Sequence, residues 1–124
     1  MGKKILIIDD NEGDKVLIRE LLRESGIDCE FIMANSGDEG IEKAKEEKPT
    51  VVLIDTGLKG TDCFQTCKTI KELPDIDIKV IVMTGVVDAI DAGKARRSGA
   101  DDFCVKTSDC ESIIKAVKQI SNQN

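Results

Sequence analysis

The sequence contains no histidine. Catalysis by a Ser-His or Cys-His pair is therefore excluded, and so are metal sites that use imidazole ligands. The chain also cannot carry a phosphohistidine, so in any phosphate relay that starts from histidine it would have to contribute the aspartate. The acidic side chains therefore become the first candidates for a functional site.

Long apolar segments and an excess of positive charge are also missing from the 124 residues. No apolar run approaches the roughly 20 residues of a membrane-spanning helix, and the start of the chain leads into a short predicted strand rather than a signal peptide. The formal net charge of -6 argues against nucleic acid or an anionic membrane as a partner. We therefore expect a cytoplasmic protein with one domain over residues 1–124.

Cysteine occurs five times, an odd number that suits free thiols in a reducing compartment. Cys63 and Cys67 are one helical turn apart and could supply half of a metal site. Neither a histidine nor a second close cysteine pair is present to complete a zinc site. We therefore interpret these two thiols as small residues of the hydrophobic core.

The chain is organised around an apolar stretch that runs from Thr50 to Ile54 and ends on Asp55. A continuous apolar run of this length, followed by Gly57 and Gly60, is typical of a strand buried on both faces. In open α/β sheets, ligand sites lie at the carboxyl ends of such strands. Asp55 is therefore the first candidate for a functional residue.

Stretches of strand length alternate with helical patterns along the whole chain. Strands are predicted over residues 3–9, 28–34, 50–55, 78–84 and 101–106. Helices are predicted from 11–14 to about 25, from 36 to about 47, from 62 to before 74, from after 85 to 98, and from 108 onward. This alternation predicts a doubly wound parallel sheet with helices on both faces.

Local signals predict where several helices begin and which side they bury. Ser36–Glu39 and Ser108–Glu111 have the spacing of capping boxes, and Asp62 can cap the third helix. The residues predicted to face the core are Val16, Leu17, Leu21 and Leu22 in the first helix and Phe64, Cys67 and Ile70 in the third.

Polar residues stand at the ends of four predicted strands: Asp9 and Asp10, Asp55, Thr84 and Lys106. In a doubly wound sheet these ends converge on one crevice. Neighbouring carboxylates repel one another, so a bound divalent cation is expected, and hard oxygen ligands suit Mg²⁺. Such a site could use Asp55 as the nucleophile of phosphoryl transfer, with Mg²⁺ and Lys106 stabilising charge.

At these residues the sequence resembles the receiver domain of bacterial two-component response regulators, over essentially the whole chain. The similar motifs are IIDD ending the first strand, VLID ending the third, VMTG ending the fourth, and SGADDFCVK through the fifth. The resemblance implies a flavodoxin-like (βα)5 fold with strand order 2-1-3-4-5. It also implies a signalling phosphoacceptor that catalyses only its own phosphorylation and dephosphorylation.

The resemblance assigns roles to residues of the predicted crevice. Asp55 would be the phosphoacceptor, and Asp10, Asp55 and the Gly57 carbonyl would bind Mg²⁺, with Asp9 acting through a water molecule. The phosphodonor would be a histidine kinase or a histidine phosphotransfer protein.

The same resemblance makes Thr84 the switch hydroxyl, Phe103 the switch aromatic residue and Lys106 the contact to the phosphoryl group. Phenylalanine has no hydroxyl, so a rotamer change of Phe103 would act by packing alone. Phosphorylation is expected to change the binding of a downstream target protein. No output domain is expected, so both a chemotaxis-type regulator and a phosphorelay intermediate remain open.

The sequence departs from the family pattern at Lys59 and Thr107, where proline is usual, and at Cys63, where glycine is usual. The Lys-Pro peptide of the family is typically cis. A cis bond costs about 2.5–4 kcal/mol before a residue other than proline. We therefore predict a trans bond between Lys106 and Thr107.

Two other interpretations compete with a phosphorylated receiver. The Asp55-Thr56-Gly57 triplet also occurs in aspartic proteases, but these need an all-β fold and a second facing acid. A degenerate receiver that binds partners without phosphorylation is the stronger alternative. The complete set of candidate site residues favours phosphorylation over it.

Overall fold

The computed structural model describes residues 3–85 and 89–121 as five parallel strands and five helices that alternate along the chain. The strands are β1 (Lys4–Ile8), β2 (Glu30–Ala34), β3 (Val51–Asp55), β4 (Lys79–Thr84) and β5 (Asp102–Val105). The helices are α1 (Glu12–Glu24), α2 (Gly37–Glu47), α3 (Cys63–Lys71), α4 (Ala89–Arg97) and α5 (Glu111–Ser121). The sheet order is β2-β1-β3-β4-β5, which confirms the predicted fold.

The pleat of the sheet divides the core into two halves. Leu53 and Met83 point to the side covered by α1 and α5, where they pack with Ile18 and Val117. Their neighbours in the sequence point to the opposite side, against α2, α3 and α4. All five residues of β3 are buried, as expected for the central strand of a parallel sheet.

Side chains cap the first three helices. Asn11 accepts a hydrogen bond from the Asp14 amide, and Asp62 accepts one from the Phe64 amide. The predicted box at Ser36 forms in part: its hydroxyl accepts from the Glu39 amide, while the Glu39 carboxylate accepts from the Asn35 amide.

The second predicted capping box, at Ser108–Glu111, is wrong. Helix α5 begins only at Glu111, whose amide donates to the Asp109 carboxylate. Cys110 has a positive φ of 53°, which is incompatible with a helix that continues through this residue. The start predicted for the fourth helix, just after Gly85, falls at 86–88, outside the described residues.

The predicted inner face of α1 is also partly wrong. Val16 and Leu17 are 43% and 40% exposed, whereas Lys15, Ile18 and Leu22 are buried. Lys15 is tolerated in a buried position because its ammonium contacts the Glu12 carboxylate and the Asn35 side-chain oxygen. The apolar residues of α1 therefore cover more than one face of the helix.

Helices α2 and α3 pack closely on the other side of the sheet. A Cβ at Gly40 would lie 2.3 Å from the Ile8 side chain, so glycine is required for α2 to approach β1. In α3, Cys63 and Cys67 are buried core residues as predicted, and Phe64 is only partly buried. None of the described helices is long and apolar enough to cross a membrane.

Candidate functional site

Three predicted site residues meet at the carboxyl end of the sheet. The Lys106 ammonium lies 3.2 Å from Asp55 Oδ1 and 2.7 Å from Asp9 Oδ2. Parallel pairing places the ends of β1, β3 and β4 side by side, and the Lys106 amide donates to the Thr84 carbonyl at 2.7 Å. The sheet therefore fixes the backbone at these residues.

Asp55 is held in a buried position at the end of β3. Its side chain is 12% exposed, and its Oδ2 accepts a hydrogen bond from the Gly57 amide at 3.0 Å. Burial raises its pKa and the Asp9 charge adds to this, against the opposing effects of Lys106 and the Gly57 amide. A Cβ at Gly57 would lie 2.9 Å from Asp55 Oδ2, so a side chain there would crowd the carboxylate.

Lys106 contacts more carboxylates than the sequence predicts. Besides Asp9 and Asp55, its ammonium contacts Asp14 Oδ2 at 2.7 Å. Burial alone would lower the pKa of Lys106, but the hydrogen bonds to Asp14 and Asp9 and the charge of Asp55 raise it above its ordinary value. The ammonium is therefore charged and lies among three acids.

Sequence reasoning missed Asp14. It considered only residues at strand ends, whereas Asp14 belongs to the first turn of α1. That turn follows β1 after a short connection, so its residues border the same crevice. Acids in the first turn of a helix that follows a site-bearing strand are the signal that could have found it.

Asp10 lies apart from the Lys106 contacts. It is exposed, and its Oδ2 accepts a hydrogen bond from the Lys59 amide in the loop after β3 at 3.2 Å. Within residues 3–85 and 89–121, no group of three or more Cys, Asp or Glu side chains is arranged to hold a metal ion. The predicted ligand set of Asp9, Asp10, Asp55 and the Gly57 carbonyl stays a prediction.

The predicted switch residues lie at the ends of β4 and β5. Thr84 is buried, and the Thr56 hydroxyl donates to its hydroxyl at 3.2 Å. Phe103 is partly buried and packs against the core half that lies under α2, α3 and α4. Thr56 is a second residue that sequence reasoning missed, because a threonine after a strand carries no distinct signal.

A cleft of about 740 Å³ opens beside these residues between α1 and the start of α5. Asp14, Asp55, Thr84 and Lys106 line it, together with the partly exposed Leu17. Asp55 is among the residues that line the cleft, and its side chain is 12% exposed. Its mixed polar and apolar lining is typical of a binding site.

The structure gives the local geometry at the three positions that depart from the family pattern. None of the described peptide bonds is cis, so Lys106–Thr107 is trans, as predicted. Cys63 is buried at the start of α3. The Lys59 amide donates a hydrogen bond to the Asp10 carboxylate, and a proline at this position could not provide it.

Several of the known proteins that resemble this chain in sequence or in fold are response regulators or their receiver domains. Residues 5–118 match the model of the response regulator receiver domain. Protein PilH of Pseudomonas aeruginosa is 30% identical over 94% of this chain and 96% of that protein. The alkaline phosphatase synthesis transcriptional regulatory protein PhoP of Bacillus subtilis is 31% identical over 97% of this chain. This chain spans 49% of the length of PhoP.

Two solved structures extend the comparison. The signal receiver domain of a DNA-binding response regulator from Colwellia psychrerythraea superposes with a TM-score of 0.86 and is 26% identical, covering 98% of this chain and 99% of that one. The Mn²⁺-bound form of response regulator Rcp1 superposes with a TM-score of 0.77 and is 26% identical, covering 98% of this chain and 93% of that one.

Proposed function

The chain belongs to the family of response regulator receiver domains, and from this membership we propose that it accepts a phosphoryl group on Asp55 from a histidine kinase or a histidine phosphotransfer protein. Phosphorylation then changes its binding to a partner protein. The observation that carries the proposal is the buried Asp55 carboxylate with the Lys106 ammonium 3.2 Å away, at the mouth of an open cleft. In this role the chain is a signalling phosphoacceptor.

Asp55 is the nucleophile of the proposed transfer. One of its oxygens attacks the phosphorus of a phosphohistidine on the donor, so an O–P bond forms while the N–P bond breaks. The electron pair of that bond stays on the imidazole nitrogen, which takes up a proton. The attack needs an ionised carboxylate, and Lys106 and the Gly57 amide favour that form.

A divalent metal ion, Mg²⁺ in the cell, completes the site in this proposal. Its oxygen donors would be Asp9, Asp10 and Asp55 with the Gly57 carbonyl, which are hard ligands with the excess of negative charge that such an ion requires. The metal would offset charge on the phosphoryl oxygens. Asp10 is exposed, so its carboxylate is able to turn from the Lys59 amide toward the metal. The Mn²⁺-bound form of Rcp1 supports a divalent ion in this fold.

Lys106 would contact the phosphoryl group once it is attached. The phosphoryl adds about −1.5 to −2 charges beside Asp9, and only a cation can keep these groups close together. The side chain of Lys106 is 17% exposed and already borders the cleft. Its ammonium therefore reaches an incoming phosphoryl group without a change of the backbone.

The proposed output begins at Thr84. A phosphoryl group on Asp55 would draw the Thr84 hydroxyl away from Thr56 and leave space into which Phe103 can turn. Thr84→Ala should therefore leave phosphorylation largely intact and weaken the response of a partner protein. Equal partner affinity for phosphorylated Thr84→Ala and wild-type protein would contradict this coupling.

Mass spectrometry after incubation with acetyl phosphate and Mg²⁺ tests the proposed function. The wild-type protein should gain the mass of one phosphoryl group, and Asp55→Asn should gain none. Asp38→Asn, which changes an exposed acid in the first turn of α2, is the matched control and should react like the wild type.

The same experiment separates phosphorylation from the degenerate receiver. Labelling that survives in Asp55→Asn would show that another residue is the acceptor. A wild-type protein that stays unlabelled, also with purified kinases, would leave a module that binds partners without phosphorylation. Repeating the reaction with EDTA should abolish labelling, because the metal is required.

A further inference from the structure

The Lys106 ammonium is not centred on Asp55. It lies 2.7 Å from both Asp9 and Asp14 and 3.2 Å from Asp55, so its shortest contacts are with the other two acids. The proposed reaction requires Lys106 to contact a phosphoryl group on Asp55. Movement of the ammonium toward such a phosphoryl group would lengthen at least one of the two short contacts.

Asp14 is the contact that can be released. Asp9 is 1% exposed, and its Oδ1 accepts a hydrogen bond from the Asn11 amide, so its orientation is fixed. The Asp14 side chain is 42% exposed and borders the cleft, so its carboxylate can turn into water. Water then replaces the ammonium as its hydrogen-bond partner at little cost.

Asp14 also adds a negative charge close to the reacting oxygen. Asp14 Oδ2 and Asp55 Oδ1 both lie within hydrogen-bond distance of one nitrogen, so they are no more than about 6 Å apart. A phosphodonor that enters the cleft is anionic. It therefore approaches Asp14 as well as Asp55, and Asp14 repels it.

We propose that Asp14 is a positioning residue that competes with Asp55 for the Lys106 ammonium and slows phosphorylation by anionic donors. This inference rests on the proposed function of Asp55 and adds a control on its rate. Asp14 lies on α1, whereas the metal ligands proposed above lie at the strand ends and in the loop after β3. A residue of the first helix thus sets how readily the chain becomes phosphorylated.

The test compares phosphorylation rates of Asp14→Asn and wild-type protein with two small donors. Acetyl phosphate is a dianion near neutral pH, and phosphoramidate carries a single net negative charge. Asp14→Asn should react about threefold to tenfold faster with acetyl phosphate. The gain with phosphoramidate should be smaller, because repulsion scales with donor charge. A change in packing alone would alter both rates by the same factor.

Three further variants complete the design. Asp38→Asn removes a negative charge from the first turn of another helix, and its rates should stay at the wild-type level. Asp14→Glu keeps the charge and should restore rates near those of the wild type. Asp14→Ala is a second neutral variant, for use if Asp14→Asn does not fold. A crystal structure of the faster variant should show Lys106 Nζ less than 3.2 Å from Asp55 Oδ1.

The outcomes separate this inference from the function on which it rests. Equal acceleration with both donors, no acceleration, or an unchanged Lys106 position would refute the role of Asp14 while Asp55 phosphorylation stands. A wild-type protein that accepts no phosphoryl group from either donor or from purified kinases would refute both. Faster reaction that depends on donor charge and is reversed by Asp14→Glu would support the inference.

Discussion

The hydrogen bond between Thr56 and Thr84 leads to a prediction about the balance between two states of the protein. Thr56→Val keeps the shape of the side chain and removes the hydroxyl that donates to Thr84. The first state is the one that the structure shows, in which this bond is formed. In the second, proposed state, Thr84 has moved toward a phosphoryl group on Asp55 and the bond is broken. The substitution should therefore destabilise the first state relative to the second.

The size of the effect follows from the length of the bond. At 3.2 Å it is longer than a typical hydroxyl hydrogen bond, so it belongs to the weaker half of the usual range. We expect Thr56→Val to reduce the free-energy preference for the first state by about 0.5–1 kcal/mol. The population of the second state in unphosphorylated protein should then rise about twofold to fivefold.

NMR of threonine and valine methyl groups provides the assay. Spectra of the wild type with and without beryllofluoride and Mg²⁺ define the two end states. Resonances of unphosphorylated Thr56→Val should shift along the line that joins them. Thr69→Val is the matched control, since it removes a hydroxyl that donates to a carbonyl within α3, and its spectrum should not shift along this line.

Two results would refute the reasoning. Resonances that stay at the wild-type positions would mean that the Thr56 hydroxyl does not favour either state. A shift in the opposite direction would mean that the bond stabilises the phosphorylated form instead. In the second case, Thr56 would follow Thr84 as it moves.

Three further predictions concern stability. Gly40→Ala should lower the free energy of unfolding by about 1–3 kcal/mol, because its Cβ would overlap the Ile8 side chain, and an unchanged urea midpoint would contradict the close packing of α2. Asp101→Ala should cost about 1–3 kcal/mol, because the buried Val80 amide loses the carboxylate that accepts from it at 2.8 Å, whereas Asp38→Asn should leave the midpoint unchanged. Asp55→Asn should stabilise the fold near pH 7 in EDTA. Burial and the Asp9 charge raise the folded-state pKa of Asp55 above 3.8, so ionised Asp55 disfavours folding, and asparagine removes that charge. That gain should shrink as pH falls through the folded-state pKa and vanish below 3.8, where both states are protonated; a gain independent of pH would show another cause.

The sequence predicts the fold and the strand-end residues because both depend on short-range patterns. Apolar runs that end on polar residues mark Asp9, Asp55, Thr84 and Lys106, and parallel pairing then brings the Asp9 and Asp55 carboxylates into hydrogen-bond distance of the Lys106 ammonium. The position of each strand end follows from the alternation of strands and helices.

The errors arise where tertiary contacts outweigh local signals. Lys15 is polar in sequence but buried, because Glu12 and Asn35 satisfy its ammonium. Val16 and Leu17 are apolar but exposed, since the rotation of α1 is set by how it packs on the sheet. Local patterns do not determine that rotation, and the contact between Asp14 and Lys106 depends on it in the same way.

The alternation of side chains across the sheet has a consequence for how this protein can diverge. Asp55 continues the set of Leu53 that faces α1 and α5, and it shares its cleft with Thr84, whereas Phe103 packs on the core half under α2, α3 and α4. In the proposed function, the acceptor therefore lies on the α1 side of the sheet and the switch aromatic residue on the α4 side. Under this proposal, mutations on the α4 side would change the choice of partner while the acceptor site is preserved. An insertion of one residue within β3, before Asp55, would turn the Asp55 side chain to the other side of the sheet and so disrupt the acceptor site.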